Sequence, residues 1–251
     1  MTGIMATNGA TRVAIVTGGS RGIGRATALK LAEHGLAVVV GYHGNQAAAE
    51  EVVTKIVRNG GQGIMVRIDV AEEVDAAALF QAATDAFGGV DVVVNSAGIM
   101  KFGYVADLDL AALDTVHRTN VRGTFVVNRQ AVRHLRPGGA IVNLSSSVLG
   151  MHFPGYGPYA TSKGAVEAFT MILANELRGR NVTVNVVAPG PTATALFFEG
   201  KDKATIDTLA KQPPLERLGT PEDIANVITF LTGPAGRWIN GQTIRVNGGI
   251  I

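Results

Sequence analysis

Residues 12–24, RVAIVTGGSRGIG, decide the reading of the fold. Arg12–Thr17 is a short apolar run closed by glycines, which suits a strand buried on both faces. Gly22–His34 then carries apolar residues at helical spacing, ended by Gly35 where a helix C-terminus favours glycine. The turn between them, Thr17-Gly18-Gly19-Ser20-Arg21-Gly22-Ile23-Gly24, has the spacing Gly-x3-Gly-x-Gly. Gly18 permits a tight turn, Gly22 removes a side chain where a phosphate must approach, and Gly24 lets the helix pack close to the sheet. The free amides and dipole of the helix then face an anionic group such as a pyrophosphate.

Outward from this turn, strand-like and helix-like stretches alternate. Leu36–Gly41 reads as a second buried strand, and Asn45 caps a helix that runs to about Arg58 and stops at Gly60-Gly61. Gly63–Ile68 precedes a helix from about Glu72 to Phe87. Val90–Val94 precedes a long helix over roughly Leu110–Leu135, and Ala140–Leu144 precedes one from about Tyr159 to Arg178. Val182–Val187 and Gln242–Val246 supply a sixth and a seventh strand. The pattern predicts an α/β class fold: a single-domain, doubly wound Rossmann arrangement with a seven-stranded parallel sheet and helices on both faces. Ligands bind such sheets outside the carboxyl ends of the strands.

The 251 residues are 47% hydrophobic and only 17% charged, consistent with one large core, read as a domain over 12–251 after a flexible leader over 1–11. The formal charge is +2 and no Lys/Arg run marks a nucleic-acid or lipid surface. No apolar stretch approaches the roughly 20 residues of a membrane-spanning helix. The absence of cysteine excludes disulfides, thiolate catalysis and Cys-based zinc sites, and favours a cytoplasmic location.

Two chemistries compete for the glycine turn. Gly18-Gly19-Ser20-Arg21-Gly22 also matches Gly-x-Ser-x-Gly, the nucleophile elbow of serine hydrolases, with Ser20 as nucleophile. That reading needs a downstream His, and the five histidines stand at 34, 43, 117, 134 and 152, with none in the last part of the chain. An elbow on the first strand is also misplaced.

Tyr159-Ala160-Thr161-Ser162-Lys163 puts a phenol and an ammonium four residues apart, on one helix face. A phenol titrating near its usual ~10 is a poor acid-base group at neutral pH, and the ammonium is expected to lower it. With the glycine turn, this pair resembles the short-chain dehydrogenase/reductase family, in particular its 3-oxoacyl-acyl-carrier-protein reductase-like members. Asn95-Ser96-Ala97-Gly98, Asn120, Asn143-Leu144-Ser145-Ser146 and Pro189-Gly190 follow in the family's order, so the resemblance runs from about Arg12 to Gly249.

The resemblance implies that Ser146 orients a substrate oxygen, Tyr159 is the general acid/base, and Lys163 holds the nicotinamide ribose. It also implies that Asn120 kinks its helix and holds a proton-relaying water. The reaction implied is hydride transfer between nicotinamide and a ketone, 3-oxoacyl-type carbonyl or secondary alcohol, with no metal.

NAD-selective members of dinucleotide folds place an acidic side chain after the second strand. Val40-Gly41-Tyr42-His43-Gly44-Asn45 has none. Arg21 can instead pair with a 2′-phosphate, aided by His43 and Asn45, so the expected cofactor is NADP(H); the alternative is an NAD-dependent alcohol dehydrogenase. By resemblance, Gly18, Ser20, Arg21, Gly22, Ile23 and Gly24 form the phosphate turn and Asp69-Val70 contacts adenine. Asn95, Ala97 and Gly98 border the adenosine ribose, and the loop Pro189-Gly190-Pro191-Thr192-Ala193-Thr194 fixes the carboxamide, with Thr192 lending backbone and Thr194 its side chain.

Residues 195–214 occupy the family's variable lid, and Leu196, Phe197 and Phe198 give it an apolar start. His152, Phe153 and Tyr156 are expected on the opposite wall. Arg122, Arg129 and Arg133 offer basic surface for a carrier, or are simply solvated. The family usually pairs its long fifth and sixth helices and its C-terminal strands, which implies a homotetramer. A dinucleotide-binding sensor without catalysis is the third reading, against which the Ser-Tyr-Lys set argues.

Overall fold

The computed structural model describes residues 11–251, so the leader expected over 1–11 lies, apart from Thr11, outside the described residues. Strand β1 (Val13–Thr17) leads through the glycine turn into helix α1 (Gly22–Glu33). The alternation continues with β2 (Ala37–Tyr42), α2 (Gln46–Arg58), β3 (Gly63–Arg67), α3 (Glu73–Phe87) and β4 (Val90–Asn95). Next come α4 (Leu110–His117), α5 (Gly123–His134), β5 (Leu135–Leu144), α6 (Val148–Met151), α7 (Gly157–Glu176) and β6 (Thr183–Pro189). The short helices α8 (Ala195–Phe198) and α9 (Lys203–Lys211), then α10 (Pro221–Thr232) and β7 (Thr243–Val246), complete the chain.

All seven strands form one parallel sheet in the order β3-β2-β1-β4-β5-β6-β7. Strand β1 shows why the sequence is apolar without a period. Val13 and Ile15 enter a core with Leu79 and Phe80 of α3, Val127 of α5 and Leu173 of α7. Ala14 and Val16 enter a second core with Leu31 of α1, Val52 of α2 and Ile228 of α10. Side chains alternate across the sheet, so a strand covered on both faces is apolar at every position. Each fully buried Val or Ile contributes about 1.5–3 kcal/mol.

The strand order reverses between β1 and β4, and a crevice opens there above their carboxyl ends. The loops after these strands touch: a Cβ added to Gly18, whose φ is +64°, would meet the Ala97 backbone at 2.9 Å. At the opposite edge, Asp91 accepts the Val13 N–H at 2.7 Å and pairs with Arg136, clipping β1, β4 and β5 together.

Two departures from the sequence reading bear on the site. The long helix expected over 110–135 is broken into α4 and α5 by a wide π turn at Arg118–Arg122, with Asn120 inside it. Helix α10 has no counterpart in the sequence reading. It begins with a capping box, Thr220 Oγ1 accepting from Asp223 N while Asp223 accepts from Thr220 N. No helix among the described residues is long and apolar enough to cross a membrane.

Candidate active site

Three consecutive serines follow β5, and their hydrogen bonds separate them. Ser145 donates to Glu167 Oε1 at 2.7 Å, and Ser147 donates to the Ala188 carbonyl at 3.1 Å. Ser146 accepts from Val148 N at 3.3 Å and its hydroxyl lies in hydrogen-bond reach of the Tyr159 phenol. Ser145 and Ser146 both line the cleft, but Ser145 spends its proton on Glu167, so Ser146 is the serine the spacing to Tyr159 singles out. Helix α7, started by Pro158 in its first turn, carries Tyr159 and Lys163 into the same place.

Lys163 is buried, its Nζ donating to the Leu144 carbonyl at 2.8 Å and lying 5.6 Å from the centre of the Tyr159 ring. Burial pulls the ammonium down to about 8. The expectation that it lowers Tyr159 does not hold. Burial pushes the phenol up to about 12, and the bond with Ser146 opposes this only in part. The physical reason is position: the ammonium lies over the ring and is held by a carbonyl, while the apolar surroundings disfavour the phenolate.

Asn120 does interrupt its helix, but its side chain is committed to protein. Its Oδ1 accepts from Ile99 N at 2.9 Å, and its Nδ2 donates to Ile99 O at 2.9 Å and to Ser162 Oγ at 3.0 Å. The amide thereby ties the loop after β4 to α7. Its backbone carbonyl accepts from Thr124 Oγ1 at 2.7 Å.

Asn95 is a correction. It was expected to border the ribose, yet it is buried beneath the cleft, its Nδ2 donating to Asn143 Oδ1 at 2.8 Å. Asn128 donates to the same oxygen and Asn143 donates to Thr170, so the amides bind β4, β5, α5 and α7 into one network. Ser96, one residue on, faces the cleft beside Ala97 and Gly98.

The cleft has two continuous halves. The larger, about 700 Å³, is lined by Gly18, Ser20, Arg21, Gly22, Ile23, His43, Asn45, Asp69, Val70, Ala97 and Gly98. Its size falls in the roughly 300–1,000 Å³ of small-molecule and cofactor sites. Two observations fit it to a dinucleotide. The first turn of α1 has neither a side-chain cap nor an acidic residue, so its amides remain available to an anion. Gly24 does not line the cleft; its Cβ would come 2.2 Å from the Gly18 carbonyl, so its role is to let α1 approach the turn.

At the far end of this half, Arg21 is exposed and makes no ion pair among the described residues. His43 Nδ1 lies 3.3 Å from Ile68 O, and Asn45 caps α2 through its oxygen, accepting from Ala48 N. Asp69 is pushed up by burial, but bonds from Ala71 N–H and Arg118 more than offset this and hold it below the usual carboxylate range. Arg118, 49 residues away in sequence, also lines the cleft and is a residue the sequence reading missed. No hydrogen bond joins Ser20 to a histidine among the described residues, and the rings of His34, His43 and His117 bond elsewhere. The nucleophile-elbow reading therefore finds no support in the geometry.

The smaller half, about 150 Å³, holds Ser146, Tyr159 and Lys163 and continues to Pro189, Gly190, Thr192 and Thr194. Thr192 Oγ1 donates to Gly190 O, and Thr194 caps α8 by accepting from Phe197 N. Of the residues expected to wall it, Leu196, Phe197, Phe153 and Tyr156 do so. Phe198 and His152 do not: both are exposed, and His152 adopts a left-handed φ of +53° that turns the chain after α6. Arg129 pairs with Glu73, whereas Arg122 donates its Nε to Ala71 O and neither it nor Arg133 forms an ion pair among the described residues.

A family model described as enoyl-(acyl carrier protein) reductase matches residues 18–251. A short-chain type dehydrogenase/reductase of Picea abies is 46% identical over 95% of this chain and 92% of its own length. An NADPH-dependent aldehyde reductase-like protein, chloroplastic, of Arabidopsis thaliana is 42% identical over 96% of this chain and 94% of its own. Among solved structures, a short chain dehydrogenase from Burkholderia cenocepacia in complex with NADP superposes with a TM-score of 0.90 at 37% identity, covering 96% of this chain and 98% of that one.

Proposed function

The chain belongs to the short-chain dehydrogenase/reductase family of oxidoreductases, and from that premise we propose that it is an NADP(H)-dependent reductase that converts a ketone or aldehyde to an alcohol. The observation that carries this reading is the convergence of Ser146, Tyr159 and Lys163 on a pocket continuous with a glycine-lined cleft. The chemistry supplied by a bound NADPH is hydride donation to the carbonyl carbon.

The protein's own part is placement and proton transfer. Ser146 donates a hydrogen bond to the carbonyl oxygen and turns it toward Tyr159. Tyr159, protonated at neutral pH as a phenol is, transfers its proton to that oxygen. Lys163, buried beside the ring and anchored by the Leu144 carbonyl, would hold the nicotinamide ribose. Asn120 acts as a positioning residue through the loop after β4 and through Ser162.

The residues that would hold the cofactor are the turn Gly18, Ser20, Arg21, Gly22 and Ile23; Asp69 and Val70 at adenine; Ser96, Ala97 and Gly98 along the ribose; and Lys163, Pro189, Gly190, Thr192 and Thr194 at the nicotinamide. Arg21, with His43 and Asn45, would hold the 2′-phosphate, and no acidic side chain stands after β2 to favour a free 2′-hydroxyl. The aldehyde reductase of Arabidopsis and the NADP complex from Burkholderia support the same cofactor. Fluorescence titration with NADPH and NADH tests it. The wild type should bind NADPH more tightly, and Arg21→Ala should weaken NADPH about 10–100-fold while leaving NADH unchanged, the loss expected for one charge-assisted contact. Tighter binding of NADH by the wild type would point instead to an NAD-dependent alcohol dehydrogenase.

A homotetramer is part of the proposal. Phe125 on α5 and Ile172 on α7 are 48% and 58% exposed, and Trp238, close to β7, is 99% exposed. Exposed large apolar groups of this kind fit burial in subunit contacts. Light scattering should return the mass of four 26.1 kDa chains, and a monomeric mass would contradict the assembly.

A further inference from the structure

The substrate half of the cleft has two charged side chains on its wall and both are lysines; no Asp or Glu lines it. One is Lys163, already used. The other is Lys201, in the connection between α8 and α9. Its Nζ stands between two aromatic rings, 5.0 Å from the centre of Phe102 and 4.9 Å from that of Phe197, and donates to the Phe197 carbonyl at 2.7 Å. Phe102 belongs to the loop after β4 and Phe197 to α8, so the ammonium joins the two sides of the pocket mouth. Phe102 in turn packs edge-on against Tyr156, 4.6 Å away, another residue of the pocket wall.

This is a costly place for a cation. Burial lowers Lys201, the nearby Glu199 only partly opposes this, and no carboxylate forms an ion pair with it among the described residues. Two ring faces and one carbonyl replace part of its hydration, but an ammonium has three donors and one is taken by the carbonyl. A lid held only by packing would need no charge here, because Leu or Met fills the same space between two rings.

We propose that Lys201 is a specificity-determining residue that recognises an anionic oxygen, a carboxylate or an ionised phenol or enol, on an aromatic or apolar substrate whose carbonyl lies at Tyr159. The proposal rests on the reductase reading and names the substrate class for that site. The rings that flank Lys201 suit the apolar body of such a substrate, and its ammonium pairs with the anionic oxygen in a partly desolvated place, where a charge-assisted bond is strong. Lys163 does not compete for that group, being held by Leu144 deeper in the pocket.

The test uses the full-length protein and matched pairs of substrates: the carboxybenzaldehydes against their methyl esters, and hydroxynaphthaldehydes against their methyl ethers. The first pair reads a carboxylate and the second an ionisable phenol. In the wild type, kcat/KM should favour the anionic partner of at least one pair by about 10–100-fold, the range of a hydrogen bond to a charged group. Lys201→Met should abolish that preference, chiefly through KM, and leave turnover of the neutral partner within about threefold of wild type, because an unbranched apolar side chain keeps the packing. Lys201→Arg should retain the preference. Equilibrium binding of the same carboxylates to the protein loaded with NADP+ gives a readout independent of turnover, and should weaken in Lys201→Met. An unchanged preference in Lys201→Met, or a wild type that favours the neutral partners, would overturn the proposal and make Lys201 a lid latch only. Failure to reduce every compound, neutral ones included, would instead overturn the reductase reading beneath it.

Discussion

Tyr159→Phe should lower kcat by about 10²–10⁴-fold, the range of a positioned general acid, or about 3–5 kcal/mol of barrier. NADPH affinity should stay within about threefold of wild type, since the substitution removes only a hydroxyl and keeps the ring over which Lys163 lies. Steady-state kinetics and a fluorescence titration on the same preparation separate the two effects. The split distinguishes an enzyme from a dinucleotide-binding sensor, for which no turnover exists to be lost. A fall in cofactor binding equal to the fall in kcat would assign the phenol a structural role.

Gly24→Ala should damage both fold and binding. The new Cβ would stand 2.2 Å from the Gly18 carbonyl oxygen and 2.8 Å from its carbon, and both are backbone atoms that cannot rotate aside. Helix α1 must move away from the turn, which separates the amides from the place of the phosphates. Overpacking in a core costs about 1–3 kcal/mol, and this contact belongs at or above the upper end. Thermal unfolding should therefore begin roughly 5–12 °C lower, given about 2–4 °C per kcal/mol for a chain of this size. NADPH affinity should fall more than tenfold, a loss of about 1.4 kcal/mol or more. Gly157→Ala is the control, because an added Cβ there meets nothing within 4 Å.

The fold was legible where the chemistry is local. A strand apolar on both faces, a glycine turn and an amphipathic helix are written in consecutive residues, and β1, α1 and β2 appear where those signals stand. Helix α10 went unread, although its Thr220–Asp223 capping box and the apolar positions 224, 228 and 231 are local signals. The break at Asn120 has a different origin, because a π turn depends on what the side chain finds across the fold, here Ile99 and Ser162.

The site was less legible than the fold for the same reason. Which of Asn95 and Ser96 faces the cleft depends on how β4 ends, and the pairing of Asn95 with Asn143 turns it inward. The state of Tyr159 depends on burial and on where the Lys163 ammonium lies; helical spacing brings the two residues together but does not aim Nζ at the phenol oxygen. Arg118 and Lys201 gain their meaning from partners distant in the chain, Asp69 and Phe102 respectively.

The central claim is hydride transfer to a carbonyl with Tyr159 as the proton donor. Its most direct test is to incubate the wild-type protein with an aromatic aldehyde and NADPH carrying deuterium on the transferable position of C4, then follow both reactants. One alcohol should form per NADPH consumed, with deuterium on the carbinol carbon and none taken from solvent there. Consumption of NADPH without labelled alcohol, or no reaction across a panel of aldehydes and ketones, would contradict it.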